Sequence, residues 1–243
     1  MCLNLALIAR KDRLEDRFRA LFSPDAAYSP YYHASGFLHP RIPVISQEDP
    51  ALIQMVEWGL IPAWARDREK AQELRNYNFN AKSETIFEKP SFRGSIRVRR
   101  CLILADGFYE WHTAGGKKYP FFVSMKGGMP FAMGGIHDQW VDRATGEIKK
   151  TFSLITTAAS PLMARIHNSK QRMPLVIPEE FERLWLNDIS KEELVKLMRP
   201  FDSPSLAVHT VSKLLVSRKD DTNVPAVQAP HEYPELDTKG LLS

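Results

Sequence analysis

The chain has 243 residues, 44% of them apolar and 26% charged, and its 33 Lys and Arg against 29 Asp and Glu leave a net charge of +4. These fractions suit a globular protein and exclude disordered, collagen-like and coiled-coil chains, while so mild a basic balance does not by itself imply nucleic acid. A chain of this length buries roughly 70% of its unfolded surface, so its core needs no disulfides.

Taken in order, residues 10–19 are polar with Leu14, Phe18, Leu21 and Phe22 at helical spacing, which predicts a helix. The Pro-rich, aromatic stretch 23–43 reads as an ordered loop. Residues 52–60 read as a strand that Ile61-Pro62 ends, because Pro brings no ladder donor. From 100 to 157 the pattern becomes a series of strands, at 101–111, 119–125, 131–140 and 149–157, with Gly115-Gly116, Gly127-Gly128 and Thr145-Gly146 as turns. Such short connections predict an antiparallel meander. Pro178 sits at the start of a helix over 179–187, and Ser190 with Glu193 makes a capping box for a helix to 198. A last strand is expected at 207–211, before a Pro-rich tail from Val224. No repeat or linker divides the chain. The expectation is one α+β domain over 1–243, with a mainly antiparallel β core and flanking helices.

The two cysteines, at positions 2 and 101, show neither disulfide nor zinc spacing, which points to a reducing compartment. No apolar run approaches the roughly 18 residues of a membrane span, and no basic stretch precedes the run at 5–9 as a signal peptide requires. The expectation is a cytoplasmic protein that makes no membrane contact.

Removal of Met1 would turn Cys2 into a terminal 1,2-aminothiol. Its amine has an ordinary pKa of about 8 and its thiol about 8.5, so both are partly reactive near neutrality. An aldehyde suits this pair: the amine condenses to an imine and the thiol closes a thiazolidine ring. Glu110 lies in the aromatic run Gly107-Phe108-Tyr109-Glu110-Trp111. A carboxylate there is either paired or raised in pKa, which suits a general base, unless it simply faces solvent on an edge strand. His167 can donate a proton and Arg172 can hold a phosphate, although a lone His is more often structural. Asn80 can orient a sugar oxygen or cap a helix. Between 89 and 100 lie Lys89, Arg93, Arg97, Arg99 and Arg100 with no acid and Phe92 among them, which fits either a solvated basic face or a phosphate-binding groove with a base-stacking aromatic. Trp58 is either an aromatic platform or a core residue. Cys101, in an apolar run, reads as a buried thiol. The other histidines show no metal-ligand spacing, so no zinc is expected.

Met1-Cys2, Trp58-Gly59-Leu60-Ile61-Pro62-Ala63-Trp64, Asn80-Ala81-Lys82-Ser83-Glu84-Thr85, the run 101–111, His167 and Arg172-Met173-Pro174 together resemble one family. It is the SOS response-associated peptidase (SRAP) family, the abasic-site processing proteins. The resemblance implies an α+β domain that binds single-stranded DNA and crosslinks its N-terminal cysteine to abasic sites as a thiazolidine. Carried over by motif, Cys2 is the nucleophile, Asn80 orients the sugar, Glu110 handles protons at the amine, and His167 promotes ring opening or reversal. Lys82 and Arg172 match phosphate contacts, Arg93 matches one more weakly, and Trp58 belongs to the block that contacts bases. No cofactor or metal is implied, a monomer suffices, and the protein would join the nucleoid only when bound to DNA.

Three departures stand out. The family usually begins Met-Cys-Gly-Arg, whereas this chain reads Met1-Cys2-Leu3-Asn4 and lacks one phosphate contact. Lys82 replaces a usual arginine, so a bidentate clamp becomes a point charge. Four residues, not one, separate His167 from Arg172. Beside covalent capture, with lyase action if the imine β-eliminates, two other readings remain. One is a cysteine peptidase or amidohydrolase using Cys2 and His167, and the other is a non-catalytic single-stranded DNA binder.

Overall fold

The computed structural model describes residues 2–201 and 203–242. Before the first glycine-rich turn the chain forms β1 (Asn4–Leu7), α1 (Lys11–Phe18), β2 (Leu21–Phe22), β3 (Tyr31–Ser35), β4 (Arg41–Ser46) and β5 (Leu52–Trp58). Next come α2 (Arg68–Tyr77), β6 (Asn80–Lys82), α3 (Ser95–Val98), β7 (Arg100–Ala105) and β8 (Gly107–Ala114). The long strands β9 (Lys117–Met125), β10 (Phe131–Val141) and β11 (Ile148–Ala158) follow, then α4 (Pro161–Ile166), β12 (Arg172–Pro174) and β13 (Val176–Ile177). The chain closes with α5 (Glu179–Leu186), α6 (Lys191–Leu197), β14 (Leu206–Thr210) and α7 (Thr238–Leu242). This is the α+β, mainly antiparallel architecture expected.

The strands divide between two sheets. One is antiparallel, in the order β14-β9-β8-β1-β3. In the other, β12-β11-β10-β7-β4-β5-β2, strand β5 also pairs in parallel with β11. That extra pairing closes β5, β4, β7, β10 and β11 into a small barrel, which removes the exposed edges of those strands. One face of each barrel strand feeds a single apolar cluster that includes Val44, Trp58, Ile103, Met133 and Leu154. The other face, with Ile45, Leu102, Ala132 and Ile155, is covered by Leu14 of α1, Trp185 of α5 and Leu194 of α6. The helices therefore coat the barrel while the first face fills it.

Two expectations change. The stretch 23–43 is not all loop: it holds β3 and the start of β4. The run 101–111 is not one strand, for it changes sheet at Asp106. The Asp106 carboxylate accepts from the amides of Ile8 and Ala9, at 2.5 and 2.8 Å, and holds the corner. Gly107 then permits close packing, since a Cβ there would stand 2.4 Å from the Phe122 ring. The meander is accordingly two hairpins, β8–β9 and β10–β11, in different sheets.

Candidate active site

Strand β1 lies between β3 and β8, with Leu5 opposite Phe108 and Ala6 opposite Gly107. Continued toward the N-terminus, that register sets Leu3 opposite Glu110 and Cys2 one position further, opposite Trp111. Cys2 is 1% exposed and packs into the barrel cluster. Burial pushes its thiol well above the ordinary range, and the Glu110 charge pushes it further. Met1, and with it the expected removal step, lies outside the described residues.

Glu110 is equally buried, because β8 is an inner strand flanked by β1 and β9. The solvent-facing alternative is thereby excluded. Burial lifts its carboxyl to about 7, since a low-dielectric surrounding disfavours the charged form. Its Oε2 stands 3.4 Å from Nδ1 of His167, and its Oε1 is buried without a partner. His167 follows the last turn of α4, and burial lowers its ring to about 4, so it is neutral at pH 7. Nδ1 donates to the Arg172 carbonyl at 2.9 Å. A carbonyl only accepts, so Nδ1 holds the single ring proton and Nε2 is left as an acceptor.

The longer spacing between His167 and Arg172 does not disperse the site. The amides of Lys170 and Gln171 both donate to the His167 carbonyl, and Gln171 takes a left-handed φ of 49°. The chain thus turns back at once and delivers Arg172 beside the histidine.

Asn80 begins β6 and runs parallel to β11, opposite Leu154. It caps no helix. Its side chain is buried, and both Oδ1 and Nδ2 lack a partner. Each unpartnered buried polar atom costs about 1–3 kcal/mol, so this amide is held ready for a group the folded chain does not supply. Asn80→Leu, of similar size, is expected to raise stability by about 1–3 kcal/mol in urea unfolding while losing the site's function.

Trp58 does not serve as a base-stacking platform. It is fully buried, lies 5.8 Å from the Phe152 ring in a stacked arrangement, and donates from Nε1 to the Phe79 carbonyl at 2.9 Å. Its neighbour Gly59, at φ 118°, sits where a Cβ would meet Nδ1 of His39 at 2.7 Å. Asn78 donates to the Leu60 carbonyl, and the Leu60 amide returns a bond to the Asn78 carbonyl. The block from Trp58 to Leu60 therefore holds the strand that carries Asn80. Trp58→Ala is expected to cost about 3–5 kcal/mol, read as a lowered denaturation midpoint.

The basic window is also less of a groove than its sequence suggests. Phe92 is buried in the outer apolar cluster. The Arg100 guanidinium is fully buried and donates to the carbonyls of Ile96, Arg97, Trp185 and Asn187. Arg99 pairs with Asp138 at 3.0 Å. Arg93 is exposed, and among the described residues no hydrogen bond or ion pair joins its side chain to Cys2, Glu110 or His167. Arg172 reaches the site but is engaged, with Nη1 on Glu84 and Nη2 on the backbone and hydroxyl oxygens of Thr156. Lys82 is exposed at the end of β6.

Sequence reading overlooked Phe37 and Leu38, which are 66% and 81% exposed on the short 3-10 turn Gly36–Leu38. Gly36 donates to the Leu3 carbonyl, next to Cys2, and the Phe37 ring lies 5.7 Å from Phe79, next to Asn80. Two apolar residues bracketed by Gly36 and Pro40 were the available signal for an exposed tip. A separate cavity of about 600 Å³, lined in part by Met125, Phe131, Ile177 and Phe181, contains none of the site residues. Among the described residues, no group of three or more His, Cys, Asp or Glu is placed to hold a metal, and no helix is long and apolar enough to cross a membrane.

This chain belongs to the family SOS response associated peptidase (SRAP), matched over residues 1–218. Its relatives include the abasic site processing protein YoqW of Bacillus subtilis, 32% identical over 226 residues, which span 91% of this chain and 97% of that one. Abasic site processing protein HMCES of Gallus gallus is 31% identical over 189 residues, covering 69% of this chain and 54% of its own. A crystal structure of a Bacteroides thetaiotaomicron protein superposes with a TM-score of 0.89 at 34% identity, covering 95% of this chain and all of that one. A Bordetella bronchiseptica structure gives 0.75 at 25% identity, covering 87% of this chain.

Proposed function

We propose that this chain captures abasic sites in single-stranded DNA by forming a thiazolidine between Cys2 and the sugar aldehyde. Hydrolysis of the Met1–Cys2 bond frees the α-amine. Its nitrogen adds to C1′ of the ring-opened deoxyribose, water leaves to give the imine, and Sγ adds to the imine carbon while the thiol proton passes to nitrogen. Aldehyde and aminothiol thus give thiazolidine and one water, with no oxidant or metal required by the balance.

The residues divide this work. Glu110, poised near 7, accepts a proton from the amine and returns it to the departing hydroxyl. His167, neutral with Nε2 as acceptor, withdraws the proton of the closed sugar's anomeric hydroxyl and returns it to the ring oxygen as the C1′–O4′ bond breaks, leaving the aldehyde. The empty hydrogen-bonding positions of Asn80 take the sugar oxygens. Lys82 offers its exposed ammonium to a phosphate, Arg172 stays on Glu84 and Thr156, and Phe37 and Leu38 offer apolar surface to the neighbouring bases. If the imine β-eliminates before ring closure, the strand is cut, which gives the site a lyase outcome.

The observations that carry this reading are the buried Glu110–His167 pair, whose carboxylate charge reaches the Cys2 thiol, and a buried Asn80 amide with no partner. The relatives named for abasic-site processing support the same chemistry. A cysteine peptidase fits less well, because its thiolate needs a depressed pKa and here burial and Glu110 raise it. Incubation with an abasic oligonucleotide followed by a heated denaturing gel tests the proposal. A shifted, heat-stable band is the expected result, and cleavage of an amide substrate with no adduct would refute it.

A further inference from the structure

The cations available at the site mouth are few. At position 4 the side chain is turned to a neutral partner, with Asn4 Oδ1 on Nε2 of His33 at 2.8 Å. Arg172 spends its terminal nitrogens on Glu84 and Thr156. The turn 168–171 offers another. Asn168 fastens that turn to β8 by accepting from the Thr113 amide at 3.0 Å and donating to the Thr113 carbonyl at 2.8 Å, three positions beyond Glu110. With the two amide bonds to the His167 carbonyl and the left-handed Gln171, the turn is pinned at both ends. Lys170 stands exposed at its tip, with no ion pair among the described residues. Its charge is close enough to lower both Glu110 and His167.

We propose that Lys170 binds a backbone phosphate of the strand held at Cys2, presented by the pinned turn between His167 and Arg172. The inference rests on the capture reading above. An abasic sugar carries a phosphate on each side, so a strand that places C1′ at Cys2 must pass its charges close to the mouth. An exposed, unpaired ammonium on an anchored turn meets them with little loss of loop entropy. A mobile lysine elsewhere would lack that advantage.

The test follows capture rate against oligonucleotide concentration for wild type, Lys170→Ala and Lys170→Arg, with an abasic single-stranded oligonucleotide at several salt concentrations. Equilibrium binding of the undamaged strand is measured in parallel. Lys170→Ala is expected to raise the half-saturating concentration about fivefold at low salt. It should flatten the log–log salt dependence by about 0.7, the value for one phosphate on a single strand. The saturating rate should stay within about twofold, and Lys170→Arg should restore the affinity. An unchanged half-saturation and slope would overturn the assignment, as would a loss confined to the saturating rate. Wild type that binds the undamaged strand yet forms no adduct refutes capture alone, with Lys170 still judged by binding. Wild type that binds neither strand overturns both.

Discussion

Cys2→Ala should form no heat-stable adduct with an abasic oligonucleotide, while its affinity for the same strand changes by less than about threefold. The sulfur is needed only after the imine exists, to move the captured carbon into a ring that water does not reopen. Alanine keeps the terminal amine, so the imine still forms but remains hydrolysable. Borohydride should trap it, and strand scission by β-elimination should rise because ring closure no longer competes. Intact mass supplies the check on the wild-type adduct, which must equal protein without Met1 plus oligonucleotide less one water. The substitution removes a single buried atom, and a cavity of that size costs about 1 kcal/mol, too little to unfold the chain. A Cys2→Ala protein that still gave a heat-stable adduct without reductant would place the covalent bond on another residue.

The sequence revealed those features that local chemistry dictates. The capping box at Ser190 and Glu193 forms as read, with each side chain bonding the other's backbone amide. The strands flanking Gly115-Gly116 and Thr145-Gly146 were legible for the same reason, since turn residues punctuate apolar alternation. Helix α2 escaped notice although Asp67 caps it through the Lys70 amide, because it buries only Ala71 and presents no apolar stripe. The corner at Asp106 was invisible in principle: its partners, Ile8 and Ala9, lie nearly a hundred residues upstream. Trp58 and Phe92 show the same limit from the other side. An aromatic beside basic residues suggests a nucleic-acid face, yet burial depends on what the fold later packs against it. Glu110 was legible as a candidate because a carboxylate in an aromatic run is costly anywhere. Its distance to His167 and the missing partners of Asn80 needed coordinates.

Glu110→Gln is expected to slow capture by about 10²–10⁴ while leaving DNA affinity near that of wild type, the range for losing a positioned general base. The pH dependence separates this role from a packing role. With the carboxyl raised to about 7, the base form grows roughly tenfold per pH unit below 7 and saturates above it. Wild-type capture should therefore climb to a bend near pH 7, and Glu110→Gln should lack that bend, keeping only the dependence of the amine. Stability runs the other way. A carboxyl whose folded pKa exceeds its unfolded value binds its proton more tightly when folded. Its stabilising contribution is complete below about 4.5 and is lost as pH rises through 7. A shift of that size corresponds to something on the order of 3 kcal/mol. Lowered rings at His33, His137 and His167 oppose it, for their buried neutral forms lose stability as pH falls below 6.5. Glutamine keeps the shape without the titration, so at pH 8 the variant should be the more stable protein and much the slower one. Parallel urea unfolding and capture rates at pH 5.5 and 8 give both numbers. Equal stability of the two proteins at both pH values would show that the carboxyl is not raised in the fold, and the proton-handling role would fall with it.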